Sequence, residues 1–308
     1  MTGRFFVYEA ASPLFSFVGQ PISWPFILDG FRFGGSLLLF LTVHEFGHYF
    51  AARRHLVSTS LPYYIPFPFN GIGTFGAVIR IRQQIPSMRK LFDIGAAGPL
   101  AGFVVALVVL IVGFATLPGP DYLEGMPGHE RLKEHIAQNG AFPDEIISEE
   151  ADEQSVTLMV GMTPLYWLIS TFFDDVPPMW EMYHYPLLFA GWLGLFFTAL
   201  NLLPVGQLDG GHILYALVGP KWHSLVAKSF VLVLLLSGGI GFIQEMKPVF
   251  WSWDPLIGEL AWPILTTILF FYVYKIFRGS FRVIAPVLIV LVASIAGGST
   301  VGWIVDKV

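Results

Sequence analysis

Between Asp93 and Asp121 the chain carries no ionisable side chain. That stretch, IGAAGPLAGFVVALVVLIVGFATLPGP, is longer than the roughly 20 residues that cross a hydrocarbon core. Its most economical home is lipid. Five more apolar runs accompany it, and together they give six expected spans: 33–53, 92–117, 186–204, 224–243, 260–277 and 284–305. Composition agrees. The chain is 55% hydrophobic and 13% charged, where a soluble domain carries about 25% charge. The expected fold class is an all-α polytopic transmembrane helical bundle of about six spans, with a small membrane-associated β-hairpin.

Charge is segregated along the chain, and this orients the spans. Arg53, Arg54, Arg80, Arg82, Arg89 and Lys90 follow the first span with no acid before Asp93. The connection 118–185 holds 13 of the 22 acids against only Arg131 and Lys133. By the positive-inside rule the first connection is cytoplasmic and the acidic one faces the other side. The expected location is therefore an integral, multi-pass position, in a bacterial cell membrane, with the site described below opening toward the cytoplasm. Residues 1–32 read as an apolar or interfacial segment, interrupted by Pro13, Gly19, Pro21 and Pro25. Within the acidic loop, 128–139 reads as a short polar helix, 144–154 as an acidic loop, and 163–173 as an amphipathic helix lying on the membrane.

Residues 61–82, LPYYIPFPFNGIGTFGAVIRIR, break the helical pattern. Pro62, Pro66 and Pro68 forbid a regular helix, Gly71, Gly73 and Gly76 permit tight turns, and AVIRIR alternates as a strand does. A β-hairpin near the cytoplasmic membrane surface is expected. An ordinary loop anchored by aromatics fits the same pattern.

The chemistry concentrates in TVHEFGHYFAARR, residues 42–54. His44 and His48 are four apart and share one face of a helix. Glu45 lies beside the first. This HExxH spacing is the arrangement in which two imidazoles bind zinc and a glutamate serves as general base. There is no cysteine, so disulfides, iron–sulfur clusters and thiolate zinc sites are excluded. The competing reading is a polar cluster hydrogen-bonded within the bundle. Two histidines leave a zinc site incomplete, since catalytic zinc usually has three protein ligands. In NLLPVGQLDGGH, residues 201–212, Pro204 and Gly206 break an apolar span and Asp209 follows. Irregular backbone at membrane depth persists only where it is buried in protein or lines a wet cavity, so Asp209 can be aimed at a site. It could equally cap a helix that begins near Gly211.

HEFGHYFAARR, NGIGTFGAVIRI, GAAGPLAG and NLLPVGQLDGGH, in this order, resemble the site-2 protease family of intramembrane zinc metalloproteases. The closest likeness is to the branch without PDZ or CBS modules that includes chloroplast members. The resemblance covers about residues 33–215, the expected catalytic core. Residues 216–308 match only as further spans. It implies one catalytic zinc ion held by His44, His48 and Asp209, with Glu45 as base. It implies a substrate-contacting or gating role for Asn201. It also implies that the hairpin, through Gly76, Ala77, Val78 and Ile79, pairs with an unwound substrate. The implied partners are a transmembrane protein substrate and the lipid bilayer, with no nucleic acid. The implied activity is hydrolysis of peptide bonds within or near transmembrane segments. The alternative is a non-proteolytic membrane metal-binding protein or carrier built on the same site. Gly98 and Gly102 form a GxxxG pair, read as close packing between core helices. His55, His129, His135, His184, His212 and His223 read as loop or capping residues.

Overall fold

A computed structural model describes residues 24–67, 73–119, 122, 130–140, 142–143 and 161–276. The chain divides into two compact units, one up to Leu203 and one from Pro204 onward.

The first unit is built on three helices: α1, Trp24–Arg54; α2, Met88–Ala115; and, after two short helices introduced below, α5, Pro186–Asn201. Helix α1 begins at Trp24, nine residues before the expected start of the span at 33. Pro25 falls in the first turn, where its missing N–H costs nothing. Asp29 and Arg32 pair at 2.9 Å one turn apart, which lets the early turns carry charge. At the other end Arg53 and Arg54 complement the negative end of the helix dipole. Ser87 caps α2 by accepting from the Lys90 N–H at 3.3 Å. Pro186 opens α5, again at a first-turn position.

Each of the three helices packs on the other two. Leu37 and Phe40 of α1, Ala106, Leu110 and Phe114 of α2, and Leu188 and Leu193 of α5 form the buried core. Glycine lets α5 approach α2: a Cβ on Gly191 would stand 2.9 Å from Leu110, and one on Gly194 2.8 Å from Ala106. Such small-residue contacts let dispersion hold helices together where lipid removes the hydrophobic drive.

Two short helices lie in the long connection between α2 and α5. Helix α3, Glu130–Asn139, is the expected polar helix. It buries Leu132 and Ile136 against Phe142 and Trp180. Helix α4, Pro164–Ser170, differs from the expected surface helix, because Tyr166 is fully buried in the three-helix core against Phe114. Its neighbours Trp167 and Leu168 do face outward. The aromatic ring at 166 fills the end of the core, which binds the helix to protein rather than to the membrane surface alone. The expected acidic loop 144–154 lies outside the described residues.

Between α1 and α2 the hairpin is present. Strands β1, Tyr63–Phe67, and β2, Gly73–Val78, run antiparallel, with Tyr63 opposite Val78 and Phe67 opposite Gly73. The register shifts between Tyr64 and Pro66, where Ile65 alone stands opposite Phe75 and Gly76 of β2, and Pro66 pairs with Thr74 beside this irregularity. Gly76 takes a φ of 107°, which a side chain would resist. Ile79 lies one residue beyond β2. Pairing then resumes at the isolated bridge between Thr59 and Ile81.

In the second unit α6, Asp209–Trp253, is broken at Gly219, whose φ of 75° and ψ of 177° leave helical space. Pro220 restarts the helix, so the expected span 224–243 sits inside a longer element. Helix α7, Pro255–Ile276, packs against α6 and covers residues 260–276 of the expected span 260–277. The expected span 284–305 lies outside the described residues. Among the described residues, α1 from Ile27 and α2 are long and apolar enough to cross a bilayer. Helix α5, at 16 residues, is about 24 Å long. The count of six therefore rests on the hydropathy pattern.

Candidate metal centre

His44, Glu45 and His48 lie in the sixth and seventh turns of α1 and are 3%, 8% and 6% exposed. Two imidazoles and a carboxylate at that burial are costly unless they are matched by partners. One such partner comes from α2. The His48 Nδ1–H donates to the Ile94 carbonyl at 2.7 Å. A carbonyl can only accept, so this bond places the ring proton on Nδ1 and leaves the Nε2 lone pair available. That Nε2 lies 3.3 Å from His44 Nε2.

This spacing fits a shared metal. Two nitrogens bound at about 2.0–2.1 Å to one tetrahedral zinc stand about 3.3–3.4 Å apart. The backbone carbonyl behind His48 is the kind of outer partner that orients a ligating histidine. Phe40, one turn before His44, closes the apolar side, with ring centroids 6.0 Å apart.

Helix α2 contributes space as well as the carbonyl. A Cβ on Gly98 would overlap the His48 imidazole, and one on Gly102 would come within 3.0 Å of His44 Nδ1. The glycine pair and the histidine pair share a spacing of four and run in opposite directions, with Gly98 under His48 and Gly102 under His44. The GxxxG element is thus a packing motif with a specific cargo.

Asn201, the last residue of α5, brings its side-chain amide to 3.4 Å from His44 Nε2. The three helices of the core therefore each deliver something to this point. The hairpin is tied to the same region, because Tyr64 of β1 and Thr42, two residues before His44, share a hydrogen bond of 2.7 Å. Gly76, Ala77 and Val78 lie in β2, and Ile79 lies past its end. Asp209 is the first residue of α6 in the second unit. The loop before it is held tightly: Gly206 adopts a φ of 57°, and a Cβ on Gly211 would meet the carbonyls of Val205 and Gly206 at 2.9 and 2.7 Å. His55 is engaged elsewhere, 2.9 Å from Asp93.

The sequence reading did not find three of these contributors. The match between the Gly98–Gly102 and His44–His48 spacings was a usable signal. The Ile94 carbonyl belongs to the backbone and leaves no mark in the sequence. The Thr42–Tyr64 bond joins residues that no motif relates.

The profile of peptidase family M50 matches residues 33–240. EGY2 of Oryza sativa subsp. indica, named a probable chloroplastic zinc metalloprotease, is 31% identical over 215 residues, which is 70% of this chain and 33% of that protein. EGY1 of Oryza sativa subsp. japonica, named likewise, is 29% identical over 195 residues, 63% of this chain and 29% of the relative. EGY2 of Arabidopsis thaliana is 26% identical over 199 residues, 65% of this chain and 31% of the relative. The chain spans about a third of the length of these relatives. No solved structure matches it. With residues 33–240 covered by the profile and the paired histidines inside that range, the chain belongs to peptidase family M50.

Proposed function

We propose that this chain is an intramembrane zinc endopeptidase that cleaves a membrane-protein substrate within or near a transmembrane segment. The observation that carries the reading is the buried pair of imidazole Nε2 atoms 3.3 Å apart, one of them fixed by the Ile94 carbonyl, with Glu45 beside them. The relatives named above are called zinc metalloproteases, which favours the same metal and chemistry.

His44 and His48 would hold the ion through Nε2, and Asp209 would supply a carboxylate as third ligand. Two imidazoles and one carboxylate are a donor set used by hydrolytic zinc, and they leave a coordination position open. Zinc, when bound, supplies Lewis-acid chemistry toward water and a peptide carbonyl. Glu45 takes a proton from the attacking water and returns it to the departing amine nitrogen, so the proton count closes. Asn201 can donate to or accept from a peptide group held beside His44. Chain connectivity supports Asp209: it follows Asn201 by eight residues, across a loop that Pro204 and Gly206 keep out of helical geometry. Asp209→Ala is expected to lower zinc affinity by at least about tenfold and hydrolysis with it. Metal analysis of purified protein after dialysis checks this, and full zinc retention would remove Asp209 from the ligand set.

A transmembrane helix hides its peptide bonds in its own hydrogen bonds, so cleavage needs an extended segment. Strand β2 is paired with β1 on one side, and among the described residues no strand lies on its other edge. Addition of an extended substrate to that edge would supply replacement backbone bonds. The Tyr64–Thr42 bond favours this use by holding the hairpin beside the histidine-bearing turns. Val78→Pro is expected to cut cleavage of a transmembrane reporter severalfold with zinc content unchanged, and unaltered cleavage would dismiss the edge.

The membrane orientation follows from the basic α1–α2 connection and the acidic 118–185 loop, with six spans. The relatives are named as chloroplast proteins, so a bacterial cell membrane is a narrower proposal than membrane embedding itself. The orientation argument holds for either.

A further inference from the structure

The connection between α1 and α2 gathers positive charge that has no counterpart nearby. Asp93 is the only acid between Glu45 and Asp121, and it is engaged by His55. Arg53, Arg54, Arg80, Arg82 and Arg89 are all exposed. Among the described residues none of the five forms an ion pair. The backbone draws them together. The Ser60 N–H donates to the Arg80 carbonyl and the Arg82 N–H to the Ser58 carbonyl, both at 2.9 Å. The Gln83 side chain donates to the Leu56 carbonyl at 3.1 Å, and Lys90 Nζ donates to the His55 carbonyl at 3.1 Å. Arg89 and Lys90 stand in the first turn of α2, where the helix dipole disfavours cations. Helix stability therefore accounts for Arg53 and Arg54 at the end of α1 but not for Arg80, Arg82, Arg89 or Lys90.

Leu56, whose carbonyl accepts from Gln83, belongs to the same connection. It ends α1 with a φ of 59°, in a left-handed capping position usually held by glycine. The cap is closed by the Val57 N–H donating to the Ala52 carbonyl at 2.9 Å. A leucine there is strained, and it gains no burial in return, being 87% exposed. Leu61 and Tyr63, further along the same connection, are 60% and 59% exposed. Exposed apolar side chains and exposed guanidinium groups on one connection match the boundary between acyl chains and anionic headgroups.

We propose that the α1–α2 connection is a binding surface for anionic phospholipid, with Leu56 inserted below the headgroups and Arg53, Arg54, Arg80, Arg82 and Arg89 holding their phosphates. A nucleic acid or an acidic peptide would match the charge alone. The exposed leucines, and the attachment to a helix long enough to cross a bilayer, select a lipid surface. The proposal rests on the membrane placement given above and is independent of the hydrolytic chemistry.

The chain has no cysteine, so Leu56→Cys offers a single labelling position. The full chain, labelled there with an environment-sensitive fluorophore, is placed in nanodiscs of phosphatidylcholine with increasing phosphatidylglycerol. Emission is expected to shift blue as phosphatidylglycerol rises and to return toward its starting value in about 1 M salt. With Arg80→Gln and Arg82→Gln added, the half-maximal shift should need at least about tenfold more anionic lipid. Leu56→Gly supplies a second arm. It should melt at the same or a higher temperature in detergent, because glycine accepts the positive φ, yet gain less stability from phosphatidylglycerol than wild type. Identical emission in neutral and anionic nanodiscs would overturn the proposal. So would an unchanged titration in the double arginine variant, or an equal shift with inorganic phosphate alone. Zinc content, read on the same samples, separates the two readings: lipid blindness with zinc retained rejects this proposal alone, whereas a normal lipid response without zinc upholds it and counts only against the protease reading.

Discussion

Glu45→Gln is expected to lower peptide-bond hydrolysis by about 10²–10⁴-fold while zinc content and melting temperature stay at wild-type values. The substitution preserves volume and a hydrogen-bonding oxygen, so the packing around a residue that is 8% exposed is retained. It removes the group that accepts a proton from water. Neither imidazole is altered, and the 2.7 Å bond from His48 to Ile94 remains. Paired measurements of bound zinc and of cleavage of a transmembrane reporter check both halves. The same pair separates a protease from a metal carrier: a carrier would hold metal equally in both proteins and cleave with neither. Cleavage at the wild-type rate by the variant would remove Glu45 from the mechanism.

Gly98→Ala is the second large effect. The added methyl would occupy the volume of the His48 ring. That ring cannot withdraw without losing its bond to the Ile94 carbonyl, which holds it from the same helix. Overpacking of this kind costs about 1–3 kcal/mol, and disturbing the partner that orients a ligand costs about 10–100-fold in metal affinity. Zinc affinity and hydrolysis should therefore fall together, with a lower melting temperature. Gly34→Ala is the control, since a Cβ there meets nothing within 4 Å. It should leave zinc untouched and stabilise α1 by about 0.5–1 kcal/mol. Full zinc affinity in Gly98→Ala would mean that α2 does not shape the histidine pair.

Much of the site was readable because its chemistry is written in local spacing. A spacing of four between the histidines makes about one helical turn, and a glutamate next to the first is the pattern of a zinc hydrolase. The hairpin was readable for a related reason, since three prolines and three glycines exclude helix over 61–82 and AVIRIR supplies the alternation. The start of α1 was not readable. Pro25 looked like an interruption, but a first-turn proline is compatible with helix, and Asp29 and Arg32 stand three apart, where they pair along the same helix. The burial of Tyr166 was hidden for another reason: Tyr166, Trp167 and Leu168 are consecutive large side chains, and the pattern of so short a helix does not say which of them meets protein. Asp209 stays at the level of motif and connectivity, because a span-breaking loop specifies a departure from helix and not a direction.

The carbonyl of Ile94 has a consequence for the history of each molecule. His48 owes its tautomer to a group on a different helix, forty-six positions away. While α1 is alone in the membrane, nothing fixes which ring nitrogen carries the proton, and the two Nε2 atoms have no reason to converge. The pocket becomes competent only after the second helix has arrived and seated its glycines. On the zinc reading proposed above, metal loading is expected only after α2 has packed against α1.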